Sequence, residues 1–226
     1  MRHAMLSLLV LLGAMGCTTQ NATPPADSPK KAGAPPKFHE PAREVVQAWA
    51  KAGGGYCALR IDKVGVGVHD PRDHPGDKKP AVHVAANELP SFVFHDAPSR
   101  SLADLPAMEV PFALLLRKFP DSRLPELASL TQLESLTLLD PTLADAGMKR
   151  IGTLKQLNSL SLDSDGITDG GLQELAGLKD LECLLTHCQK VTDAGVKALT
   201  GLRRLRQLVL IETRIADAGT KQLADQ

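Results

Sequence analysis

Apolar positions in the C-terminal half of the chain recur with one fixed step. Leu133-Glu134-Ser135-Leu136-Thr137-Leu138 returns as Leu157-Asn158-Ser159-Leu160-Ser161-Leu162, 24 residues on. The next two copies are Leu181-Glu182-Cys183-Leu184-Leu185-Thr186 and Leu205-Arg206-Gln207-Leu208-Val209-Leu210. Leucines at the first and fourth positions, and at the sixth in all but the third copy, predict a short strand with alternate side chains facing inward. A second block keeps the same step: Asp145-Ala146-Gly147, Asp169-Gly170-Gly171, Asp193-Ala194-Gly195 and Asp217-Ala218-Gly219. Apolar residues stand two before each Asp (Leu143, Ile167, Val191, Ile215) and six after it (Ile151, Leu175, Leu199, Leu223). Spacings of three, as at Val196, Leu199 and Leu202, predict a helix with one inward stripe. Asp145, Asp169, Asp193 and Asp217 fall where these helices begin. Their carboxylates are therefore expected to cap them, accepting first-turn N–H groups and complementing the dipole. Upstream, Phe112, Leu114, Phe119, Asp121, Leu124, Leu127 and Leu130 fit a degenerate earlier copy, with Glu109 in place of its first Leu.

Residues 38–108 do not keep the step. Residues 40–53 read as a helix, with Val45, Val46 and Trp49 apolar and Gly53-Gly54-Gly55 as its stop. Segments 56–61, 64–68, 82–84 and 91–94 read as short strands between Pro/Gly/Asp turns, and residues 82–90 echo a repeat strand. A stack of identical units needs its first apolar layer covered, so this segment is expected to be an N-terminal α+β cap. A small independent domain is the alternative. A metal site here would use His69, Asp73 and His74. Those residues lie on a Pro/Gly loop without a supporting helix or a paired-ligand spacing, so no metal ligand and no cofactor is assigned.

The phrase LxxLxL, a link, then [IV]-[TA]-D-[AG]-G-x-x-x-[LI] resembles bacterial leucine-rich repeats of the T-D-A-G-L type, over residues 109–226. The resemblance implies an α/β fold, a leucine-rich-repeat solenoid with a curved parallel sheet and outer helices. The packing distances agree. Parallel strands sit about 4.8 Å apart and packed helices about 8–10 Å apart, so a stack with strands on one side must bend around them. The resemblance also implies binding on the concave sheet face. Residues between and after the strand leucines point there, which nominates Leu139, Asp163, Cys183, Leu185, His187, Val209 and Ile211. Leu185, Val209 and Ile211 are expected to form an apolar anchor flanked by Asp163 and His187.

At the other end, Arg2 and His3 precede an apolar run from Met5 to Leu12 and the small-residue exit Gly13-Ala14-Met15-Gly16-Cys17. This pattern is that of a secretory signal over residues 1–16, too short to span a bilayer. Gly16-Cys17 resembles the bacterial lipoprotein box, which implies lipidation at Cys17, although Ala14 and Met15 depart from the usual box. Ala14-Met15-Gly16 also suits ordinary cleavage and plain export to the periplasm or medium. Residues 17–37, rich in Pro and Ala, have no apolar period and read as a tether. Lys+Arg and Asp+Glu are both 26 among 226 residues, so no basic face points to nucleic acid. Cys183 and Cys188, five residues apart along a strand and its exit, are too distant to bridge. Cys183 and His187 are likewise too far apart for a nucleophile–base pair. No catalytic set is identified. The function expected is a non-catalytic, envelope-tethered scaffold for a protein, peptide or glycan. The alternatives are a small enzymatic or metal site in the cap, or a structural envelope protein. The last strand is expected to leave an open C-terminal edge, available for self-association.

Overall fold

The computed structural model describes residues 8–10, 40–62, 65–68 and 88–215. In chain order the elements are β1 (Leu8–Val10), α1 (Arg43–Lys51), β2 (Gly55–Asp62), β3 (Gly65–Val68), β4 (Glu88–Phe94) and β5 (Phe112–Arg117). Then come β6 (Leu133–Leu139), α2 (Asp145–Ile151), β7 (Ser159–Asp163), α3 (Asp169–Gln173), β8 (Cys183–His187), α4 (Asp193–Leu199) and β9 (Gln207–Ile211). Cys17, the tether, the loop with His69, Asp73 and His74, the strand expected at 82–84, and Asp217 and Leu223 lie outside the described residues.

All strands join one open sheet in the order β1-β9-β8-β7-β6-β5-β4-β2-β3. Strands β4 to β9 run parallel, each beside its sequence neighbour. The fold is therefore α/β with a mostly parallel sheet. The 24-residue step sets the register. Leu136, Leu160, Leu184 and Leu208 stand side by side, and so do Leu138, Leu162, Thr186 and Leu210. Each lies in the core at no more than 1% exposure. The buried side chains of α2, α3 and α4 (Met148, Ile151, Leu172, Val196, Leu199) close the same core, so these helices cover one face of the sheet.

The degenerate copy takes its place in this ladder through β5, and β4 adds one strand more. Phe92 and Phe94 on β4 meet Leu114 and Leu116 in register, extending both leucine columns. Where later units have an α-helix, Asp121–Ser129 forms a 3₁₀ helix with Pro125 inside it. Proline removes a backbone donor and disfavours the α ladder, so the turn tightens to i→i+3 bonds such as Arg123 N to Pro120 O at 2.9 Å. The N-terminal end of the core is aromatic. The Trp49 ring of α1 lies 4.9 Å from that of Phe92 and 5.5 Å from that of Phe112. Its indole N–H donates to Pro106 O at 3.1 Å. One continuous cluster of buried side chains runs from Trp49 to Leu210.

Candidate functional site

The aspartates placed as helix caps have another task. The N-caps of α2, α3 and α4 are Ala144, Thr168 and Thr192, and Asp145, Asp169 and Asp193 are the first residues inside the helices. Thr168 and Thr192 themselves cap, accepting from Gly170 N and Ala194 N. The Asp145 carboxylate reaches to the next unit, accepting from Thr168 N at 2.8 Å and Thr168 Oγ1 at 2.6 Å. Asp169 does the same with Thr192 N at 2.7 Å and Thr192 Oγ1 at 2.6 Å. The glycine of each D-[AG]-G phrase makes room for that carboxylate: a Cβ on Gly195 would stand 2.5 Å from Asp169 Oδ1, and one on Gly171 would collide with Asp145. Asp145 and Asp169 thus join neighbouring units and this replaces their capping assignment, while Asp193 lies inside α4, which Thr192 caps.

The sheet face away from the helices carries aligned rows. Ser91, Ala113, Ser135, Ser159, Cys183 and Gln207 form one, and Val93, Leu115, Thr137, Ser161, Leu185 and Val209 the next. A third holds Arg117, Leu139, Asp163, His187 and Ile211, nearest the C-terminal strand ends. Accessibility differs sharply along this face. Cys57, Val93 and Leu115 make a second apolar cluster, with Leu139 packed against it. Ser135, Thr137 and Ser159 are buried, so this part of the face is closed to a partner. Leu139 is half-buried against the second cluster, and Val209 retains only 9% exposure and so presents little contact surface. Cys183, Leu185, His187 and Ile211 are half-buried and Asp163 is exposed. The accessible part of the nominated set is therefore its C-terminal corner.

His187 organises that corner. Its Nδ1 is 2.9 Å from Asp163 Oδ1 on β7, and its Nε2 is 2.9 Å from Glu212 Oε2, one residue beyond β9. The Nε2 contact with Glu212 is a close charged approach. Gln189 Nε2 also donates to Glu212 Oε2 at 3.3 Å. Glu212 holds φ at 54°, the left-handed region that an L side chain rarely adopts. Glu212 and then Asp163 raise the His187 pKa against the opposing effect of burial. When protonated, the imidazole forms an ion-paired clasp between the two carboxylates. Burial raises the Cys183 pKa and pushes Cys188 up to about 11, which disfavours the thiolate in both. Neither is in a disulfide, in line with their spacing. Among the described residues no group of three or more His, Cys, Asp or Glu side chains is placed to hold a metal ion.

A cleft of about 570 Å³ also lies between α1 and residues 100–106. Its lining mixes Glu44 and Asp104 with Lys51 and Arg100, so its charge selects neither sign of ligand. No helix among the described residues is long and apolar enough to cross a membrane. No protein-family model matches the chain, and no curated protein matches it.

Sequence reasoning missed the second apolar cluster and Glu212. The signal for the first was present: Ser91-Phe92-Val93-Phe94 and Phe112-Ala113-Leu114-Leu115-Leu116 are apolar without alternation, the mark of a strand buried on both faces. Glu212 follows the strand with no motif of its own, and only the register brings it to His187.

Proposed function

We propose that this chain is a bacterial leucine-rich-repeat scaffold. It is exported, held at the cell envelope by a lipid on Cys17, and binds a protein, peptide or glycan without chemistry of its own. The observation that carries this reading is the ladder: equivalent residues 24 apart pair strand to strand without a slip from β6 to β9. A fixed backbone with variable side chains at equivalent positions suits recognition. Strand and helix spacings favour a solenoid with β6 to β9 on the concave side. The partner then meets Leu185 and Ile211 as apolar contacts and Asp163, with the outer edge of His187, as polar ones. Cys17 and the tether supply reach from the membrane, and multiple acyl chains give firm anchoring.

Leu185→Asp together with Ile211→Asp tests the face. Capture of the partner from the native envelope should fall, while circular dichroism and melting stay near those of the parent. Undiminished capture would move the site to the helices or the cap. The anchor is tested separately: the exported chain should enter the detergent phase and lose that behaviour in Cys17→Ala.

A further inference from the structure

The outer edge of β9 is occupied. β1 lies along it antiparallel, with Leu8 opposite Leu210, Leu9 opposite Val209 and Val10 opposite Leu208. The expected open edge is thus covered by the segment read as the leader. From the register we infer that the β9 edge is a strand-acceptor site, filled by β1 while the leader is present and by β9 of a second copy once it is removed.

Three observations fit that occupant. First, the residues of β9 are Gln207, Leu208, Val209, Leu210 and Ile211, without the proline or charge that protects a sheet edge from pairing. Second, the edge takes its added strand antiparallel, although every other partner of β5 to β9 is parallel. A two-fold axis beside Val209 sets a second β9 antiparallel by symmetry. Third, Leu208-Val209-Leu210 then stands where Leu8-Leu9-Val10 stands now, with Val209 opposite its own copy and Leu208 opposite Leu210. The strand that the edge accepts and the strand that forms it are nearly the same tripeptide. Such an isologous contact uses up both edges and closes at a dimer. The leader then has a second role, keeping the edge from pairing before export. When β1 leaves rests on the signal reading above; that β9 accepts a strand does not.

Sedimentation equilibrium of the full chain tests this, with a variant that denies β1 its place. Successive N–H groups of a strand point to opposite edges, so Leu8→Pro with Leu9→Pro removes a ladder donor whichever residue faces β9. The parent should sediment as a monomer and the proline variant at twice that mass. Adding Val209→Lys puts like charges opposite each other at the axis and should restore the monomer. Val209→Thr, of the same shape, should keep the dimer and confirms that position 209 tolerates change. The inference is overturned by a proline variant that stays monomeric or forms an open-ended aggregate. It is also overturned by a dimer that survives Val209→Lys. The mass of the exported chain, which reports cleavage before Cys17, tests the leader reading independently.

Discussion

The residue that best explains the repeated phrase is the aspartate, and its partner lies 23 positions further on. One copy of the phrase, read alone, offers only its own helix for the carboxylate to cap, which is why the sequence reading placed it there. The same joint accounts for the threonine before the aspartate and the glycine after it. It also exposes a defect in the first unit. Asp121 holds the equivalent place, but the residue facing it is Ala144. Its carboxylate takes the Ala144 backbone N–H, while Oδ1 is buried with no partner. Burial, before any neighbouring charge, raises the Asp121 pKa. The backbone at Ala144 (φ −127°, ψ 179°) matches that at Thr168 (φ −116°, ψ −175°), so a threonine fits without strain. Ala144→Thr should therefore supply the missing hydroxyl donor and stabilise the chain by about 1.5–3 kcal/mol, the net worth of a hydrogen bond to a charged group. Denaturant unfolding measures this, and a midpoint that does not rise refutes the joint as drawn for the first unit.

At the scale of elements, strand positions were legible wherever leucine recurred, and the physics beside them was less so. β8 shows why. Thr186 occupies the column of Leu138, Leu162 and Leu210, fully buried, and its hydroxyl lacks a partner. A pattern search accepts Thr there because the register leaves no alternative, not because the site suits it. The next residue, His187, looked like an exposed polar position on the binding face, yet it clasps β7 to the chain leaving β9. The ionisable groups facing it are Asp163 and Glu212, with neutral Gln189 beside them. The folded state holds the His187 proton more tightly than an ordinary imidazole near 6.5. The clasp therefore contributes its full stability below that pH and loses it as pH rises through the raised folded value. Asp163 is more than half exposed, so solvent screening keeps the contribution at about 1 kcal/mol or less. Melting temperature should fall across that window in the parent and stay flatter in His187→Gln. Nitrogen chemical shifts of His187 should titrate above 6.5. An ordinary titration, or parallel melting profiles for the two proteins, would remove the clasp.

For the whole molecule, periodicity revealed the ladder but not how far one core extends. Residues 38–108 keep no step, so the sequence reading set them apart from the repeats as a cap with a small independent domain as the alternative. Chemistry outside the period joins the two segments. β4 continues the parallel ladder and both leucine columns, with phenylalanine in place of leucine. Arg123, in the first unit, donates to Pro98 O at 2.8 Å and Arg100 O at 2.7 Å, and pairs with Glu126. Glu126 in turn accepts from Leu102 N at 2.7 Å. None of these contacts repeats, so no search for a step finds them. Trp49 is the chain's single tryptophan and lies at 0% exposure against the aromatic end of the core. Its fluorescence reports that end, whereas far-UV circular dichroism reports α2 to α4 and the whole sheet. A core continuous from Trp49 to Leu210 should unfold as one body, so the two probes should give coincident denaturant transitions. Arg123→Ala should shift both midpoints together, because removing the guanidinium leaves Glu126 half-satisfied and releases two carbonyls at the junction. Separate transitions, or a shift seen by fluorescence alone, would instead mark the N-terminal segment as a domain with a stability of its own.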